Sequence, residues 1–367
     1  MSVNPDVLIV GGGVVGAACA RELGLAGQSV TVLDPGGFSG QGWQAAAGLL
    51  APQIEGASDE TMLGIGVAGR EYYVSHREEL ETTSGIGIGL TVGGIVRLAT
   101  TEADAEQLRE QVALQRQHGL YCDWLDEDEV SDRWPWLARG AGAFLAPTDG
   151  ALDPSRLVHA LIVDGNRLGV RRVEDRASGL IIRSGRVLGV RGHEEYHAGQ
   201  VLIAAGAWSG RIEQLPRPLS VEPVRGQMLA FDRPRSLDDF IAYGRGHYLL
   251  TRGQEVIAGS TMEHAGFSLE VTEAGISGIR EAAIGVCPAL ADLKVSRTWA
   301  GLRPGTPDGL PIIGPEPATP GLWYATGHGR NGVLLAGVTG VMIQQLMAGE
   351  ATLDGATDFR PERFWSR

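Results

Sequence analysis

Lysine is almost absent from this chain: Lys294 is the only one, and arginine supplies the rest of the 31 basic residues. A Schiff-base mechanism, which needs a lysine in its site, is left with one candidate. Cysteine is scarce as well. Cys19, Cys122 and Cys287 are odd in number, far apart and outside any C-x-x-C spacing. That argues against a disulfide framework or a cysteine-built zinc site and points to a reducing, cytoplasmic compartment. No run of four basic residues occurs and the formal net charge is −13, so the surface lacks what nucleic acid needs. The N-terminus has no basic region of the signal-peptide kind. The longest apolar stretch, Val333 to Ile343, falls short of the ~20 residues that span a bilayer. A soluble protein with no membrane span is expected. With 367 residues, 43% hydrophobic and 20% charged, the chain is neither disordered nor a coiled coil and suggests about two domains.

Glycine is what the sequence has in excess, 54 residues or about 15% against an ordinary ~7%. The glycines follow no G-X-Y period; they cluster. The first cluster follows a β-branched run, Asp6 to Val10 (DVLIV), suited to a buried parallel strand. Gly11, Gly12, Gly13, Val14, Val15 and Gly16 then satisfy G-x-G-x-x-G, and AACARELGLAG carries helix formers to Gly27. A second strand, Ser29 to Leu33, ends at Asp34, 23 residues beyond Gly11. Strand, turn, helix, strand and acid in this order form a dinucleotide-binding unit. Gly11 permits the turn, Gly13 the approach of a pyrophosphate, and Gly16 the packing of helix on strand. The helix N-terminus faces the phosphates, and Asp34 accepts from the adenosine ribose. The motif leaves FAD and NAD both open.

Pro35 to Gly48 is a second glycine- and alanine-rich stretch, suited to backbone running beside a bulky ligand. A strand, GGIVRLAT, precedes a helix whose start, Thr101 with Asp104, has capping-box spacing and whose apolar stripe is Ala105, Leu108 and Val112. Trp124, Trp134 and Trp136 read as core. Strand segments fill Gly169 to Ile203, ending in a third small-residue cluster at Ala204, Ala205 and Gly206, and return in GQMLAFD, HYLLTR and EVIAGST. A helix over about 272–286 presents Ile276, Ile279 and Ala283 on one face. Pieces of a nucleotide-binding domain (1–85, 145–218 and 300–367) thus alternate with pieces of a mainly antiparallel one (86–144 and 219–299). The expected class is α/β, with α+β character in the second domain.

Near the C-terminus, GLRPGTPDGLPIIG (301–314) holds three prolines and four glycines and reads as a rigid irregular loop carrying Arg303. GHGRNGVLLAG (327–337) leads into a helix almost free of charge, hence buried. Its N-terminal N–H groups would face an electron-rich partner. Reduced flavin carries negative charge at its pyrimidine end and nicotinamide has no equivalent, which favours FAD. His193 to His197 (HEEYH) matches H-E-x-x-H formally, but glycines bracket it within a strand-rich region, so no metal is assigned.

Together these segments, with QAAAGLLAP (44–52), DGALDPSRLVHAL (149–161) and VLIAAGAWS (201–209), resemble the FAD-dependent D-amino-acid oxidase superfamily, and within it the bacterial glycine oxidases. The likeness runs from residue 6 to about 349. It implies a Rossmann-like FAD-binding domain beside an antiparallel-sheet substrate domain, with non-covalent FAD. It implies that Arg303 clamps the substrate carboxylate, that Tyr248 sits over the flavin, that Met262 lines the same pocket and that Arg330 lies near both. Ala46, Ala47, Gly48, Leu49, Ala205, Gly206, Trp208, His328 and Asn331 fall in cofactor-binding motifs. Gly332, Val333 and Leu334 would offer N–H groups to the flavin, and the Val173 backbone would contact the adenine. Two departures stand out: Gly329 replaces a frequent aromatic residue, and residues 37–43 do not follow the usual serine-rich pattern.

The implied reaction is oxidation of glycine, sarcosine or small D-amino acids by hydride transfer to flavin N5, with oxygen as second substrate and 2-oxo acid, ammonia and hydrogen peroxide as products. A dehydrogenase using another acceptor, or a flavin-bound assembly factor without turnover, are the competing readings. A role in thiamine biosynthesis is implied by family, and homo-oligomerisation is left open.

Overall fold

The first β-branched run forms the strand Val7–Val10, every residue of which is buried. A computed structural model describes residues 4–37, 40–55, 60–353 and 355–365. Val7–Val10 lies inside a six-stranded sheet with strand order 312–315, 322–326, 200–203, 7–10, 30–34 and 171–174. All neighbours are parallel except Ile312–Pro315 with Leu322–Thr326. One face carries the helices Val14–Leu25, Glu60–Ser84, Pro154–Arg167 and Gly332–Ala348, which pack on one another. The other face is covered by a three-stranded antiparallel sheet, Gly179–Arg183, Arg186–Arg191 and Glu195–His197, through Leu180, Val187 and Val190. A parallel sheet buried on both sides explains why its strands are apolar throughout rather than alternating.

The helix Gly332–Ala348, with the turn before it, is the one described segment long and apolar enough to cross a bilayer. Its side chains from Val333 to Gly340 are buried, and it packs between Val14–Leu25 and Glu60–Ser84. Two glycines allow that fit. A Cβ on Gly337 would enter the Tyr72 ring, and one on Gly340 would press on the Ala18 carbonyl.

A second sheet has eight strands in the order 295–305, 222–232, 255–259, 247–252, 241–244, 95–98, 143–146 and 123–125. It is antiparallel except where Ile241–Gly244 meets Ile95–Leu98. The helix Glu102–Gln117 covers one face with Ala105, Leu108 and Val112, and its N-terminus is the expected Thr101–Asp104 capping box. The helix Glu273–Val286 covers the other with Ile279, Ala283 and Val286.

The expected loop over 301–314 is corrected: Arg303 lies on the strand Val295–Gly305, and Ile312–Pro315 is also a strand. Prolines are tolerated there because Val295–Gly305 is an edge strand. The Leu302 N–H points outward to the Gly40 carbonyl at 3.0 Å, and Pro304, two residues on, directs its missing donor to the same open side.

Candidate active site

The two sheets meet over a cavity of about 440 Å³. One end is the glycine-rich turn. Gly11 has φ +104°, and a Cβ there would strike the Ala204 carbonyl. A Cβ on Gly16 would strike the Gly11 carbonyl, so Gly16 closes helix onto strand and does not itself reach the cavity. Gly11, Gly13, Val14 and Val15 line the wall, with Asp34 beside them. The Asp34 carboxylate accepts the Gly12 N–H at 2.7 Å and the Gly36 N–H at 3.0 Å, which locks the turn to the second strand.

Ala46, Ala47, Gly48, Leu49, Ala205, Gly206 and Trp208 continue the wall. Val173 does not reach it: it pairs with Leu33 one strand out, and Arg176, Ala177 and Ser178 form the wall there. Of residues 37–43, Phe38 and Ser39 lie outside the described residues, while Gln41, Gly42 and Trp43 line the cavity.

The far end holds His328, Asn331, Gly332 and Val333. Leu334, the next residue, is buried and lines a second cavity instead. The His328 Nε2 pairs with the Thr339 hydroxyl at 3.0 Å inside the protein, and burial lowers the imidazole pKa to about 3, so the ring is neutral at physiological pH.

Both helix N-termini that face this cavity are bare. Neither Gly13 at the start of Val14–Leu25 nor Asn331 at the start of Gly332–Ala348 supplies a side-chain cap, and neither helix has an acid in its first turn. Their N–H groups and positive dipole ends are open to one elongated ligand with anionic or electron-rich groups at two points, as FAD has.

Arg303 enters from the eight-stranded sheet. Its Nη2 donates to Ser260 Oγ at 2.6 Å and its Nη1 to the Thr261 carbonyl at 3.1 Å, with the Met262 sulfur at 3.4 Å. Met262 is half exposed and outside the cavity wall. Tyr248 is buried on the wall, and its hydroxyl donates to Met228 Sδ at 3.1 Å. Burial raises the phenol pKa, so Tyr248 stays a neutral donor. Arg330 lies at the mouth, Nη2 on Glu55 Oε1 at 2.8 Å. The same Glu55 oxygen accepts the Tyr243 hydroxyl.

Sequence reasoning missed Glu55, Ser260 and Met228. Glu55 did carry a signal, as the only charged residue between Asp34 and Asp59. The three cysteines are free and buried; burial raises the Cys287 thiol to about 11, and it lies away from the cavity. His193 and His197 sit on a β-hairpin, with the His193 ring on Asp175.

Fold and site together define a dinucleotide-dependent oxidoreductase of the flavin type. A model of the family described as FAD dependent oxidoreductase (DAO) matches residues 6–346, and the chain belongs to that family. It is similar to the glycine oxidase of Geobacillus kaustophilus, 33% identical over 96% of this chain and 95% of that one. The bifunctional protein ThiO/ThiG of a Nostoc species is also 33% identical over 93% of this chain, which spans 52% of that relative. The crystal structure of the Geobacillus kaustophilus glycine oxidase superposes with a TM-score of 0.94 at 30% identity, covering 99% of this chain and 100% of that one. FAD is the cofactor, as the sequence led us to expect.

Proposed function

We propose that this enzyme oxidises small amino acids, glycine among them, with oxygen as electron acceptor. The observation that carries the reading is Arg303: a guanidinium on the cavity wall beside Tyr248 that makes no ion pair with a carboxylate among the described residues. Its lining partners, Ser260 Oγ and the Thr261 carbonyl, are neutral. A planar two-pronged donor in that setting suits the carboxylate of a substrate. Burial lowers the Arg303 pKa, but an arginine remains charged, and an anion that neutralises it is stabilised accordingly. Names of relatives support glycine as a substrate.

FAD, held along the bare starts of the helices Val14–Leu25 and Gly332–Ala348, would supply a hydride acceptor for the substrate α-carbon and a route for the electrons to oxygen, which leaves as hydrogen peroxide. The chain's own residues do the rest. Arg303 holds the carboxylate, and Tyr248, kept neutral by burial, turns its hydroxyl from Met228 Sδ to donate a hydrogen bond beside it. Val333, Met228 and Tyr248 form an apolar wall that excludes water from the reacting carbon. His328, neutral and turned to Thr339, acts as support for the loop before Gly332 rather than as a base. Hydrolysis of the imine then gives one 2-oxo acid and one ammonia for each amino acid, oxygen and water consumed. We further assign the six-stranded sheet to the FAD-binding unit and the eight-stranded sheet to the substrate unit, with Arg303 on the strand that joins them.

Measuring peroxide and ammonia from glycine, sarcosine and D-alanine tests this. Equal amounts of both products are expected from a primary amino acid. Reduced flavin that takes minutes to reoxidise in air would overturn the choice of oxygen.

A further inference from the structure

The flavin cavity is not alone. A second cavity, about 930 Å³, lies outside it between the helix Glu102–Gln117 and the strand Ile241–Gly244. Glu55 and Arg330 line both, so this ion pair stands on the threshold between them. Only Oε1 of Glu55 is engaged, by Arg330 and Tyr243. Oε2 has no partner among the described residues, and the side chain is 21% exposed. A carboxylate oxygen left free in a cavity wall is an acceptor without a donor.

The backbone behind Glu55 is held with unusual thoroughness. The Gln53 and Ile54 N–H groups both donate to Asp149 Oδ2 at 3.1 Å. The Gln53 carbonyl accepts from the Gln111 and Gln115 amides at 2.9 and 2.7 Å, and Arg97 donates to the Ile54 carbonyl at 3.1 Å. Arg70 ties Gln53 Oε1 to Asp149 Oδ1, each at 2.9 Å. A turn satisfied at this many points presents Glu55 in one place, as a recognition group requires. Glu55, Arg330, Tyr248 and Arg303 all line the first cavity, so the four groups face one space.

We propose that Glu55 is a substrate-recognition residue: its free oxygen takes the ammonium group of an amino acid whose carboxylate lies on Arg303. The proposal rests on the reading of Arg303 given above. A zwitterion is then matched at both ends, whereas a simple carboxylate satisfies Arg303 and leaves only the Glu55 Oε2 without a donor. Glu55 therefore selects amino acids over other small acids.

The test compares glycine with acetate, which lacks the amine, on the FAD-loaded enzyme. KM for glycine and the inhibition constant of acetate are measured for wild type, Glu55→Gln and Glu55→Asp. Losing one charge-assisted hydrogen bond should weaken glycine about tenfold in Glu55→Gln. Acetate should change by less than about twofold on the same scale. Glu55→Asp, which keeps the charge, should recover part of the glycine loss and carries the comparison if Glu55→Gln does not retain FAD. An unchanged glycine KM overturns the proposal. So does equal weakening of glycine and acetate, the signature of a carboxylate that merely holds Arg330 in place. Absence of turnover in wild type would count against the reading of the activity instead. Binding constants for glycine and acetate, read from the flavin spectrum, would then still decide the role of Glu55.

Discussion

The guanidinium of Arg303 lies in the space that a Cβ on Gly226 would fill. The two residues are on neighbouring strands, where Gly226 pairs with Gly301 and Val224 with Arg303, so they meet on the diagonal. The absence of a side chain at 226 is what lets Arg303 fold across the strand to reach Ser260 and the Thr261 carbonyl.

Gly226→Ala should therefore displace the guanidinium without touching the FAD end of the cavity. The expected result is a glycine KM raised by about tenfold, the cost of one misplaced charged hydrogen bond, with FAD content unchanged. An unaltered KM would show that Arg303 does not need this space.

Arg303→Ala should raise the KM more steeply, by about a hundredfold, because both prongs of the donor are removed. Arg303→Lys should recover only part of this, since an ammonium cannot bind a carboxylate with two parallel bonds. Steady-state kinetics with FAD content as control measures both.

Gly11→Ala tests the other end. Its φ of +104° is strained for any residue with a side chain, and the added Cβ meets the Ala204 carbonyl. FAD affinity should fall, and with it the melting temperature, because the holoenzyme loses the stabilisation that ligand binding confers on the native state. The check is a melting curve with and without added FAD; a variant that still melts with the wild-type holoenzyme would contradict it.

Much of this was legible in the sequence, for physical reasons. The strand–turn–helix–strand–acid unit is local, each residue's task being set by its near neighbours, and it folded as read. The Thr101–Asp104 cap and the stripes of the helices over 102–117 and 273–286 were likewise local. Arg303 was misplaced onto a loop because proline and glycine speak only for local backbone, and pairing with Glu222–Asp232 overrode them. Gly226 was invisible, and Glu55 showed only as an isolated charge, because what defines them is a contact with a residue far along the chain. The arginine bias found part of its explanation in the same way. Arg21 is fully buried and donates to Asp164, Glu22, Tyr72 and Glu79 at once, a task for the five-donor fork that lysine cannot perform.

His328 gives a pH signature. Its folded pKa is near 3 and its ordinary value 6.5, so between these limits the unfolded chain binds the extra proton. Its contribution to stability is intact above about pH 6.5 and is lost as pH falls toward 3, by at most about 1.4 kcal/mol per unit. His328→Gln, which keeps a partner for Thr339 and does not titrate, should flatten the dependence of melting temperature on pH across that window. A parallel decline in both proteins would sink the assignment.

The central claim, that Arg303 presents a small amino acid for oxidation by FAD, is tested most directly by mixing the holoenzyme with glycine, sarcosine and D-alanine in the absence of oxygen. The account predicts that at least one bleaches the bound flavin in wild type. In Arg303→Ala the same bleaching should need about a hundredfold more amino acid. Flavin that stays oxidised with every amino acid, or that bleaches equally well without Arg303, would contradict it.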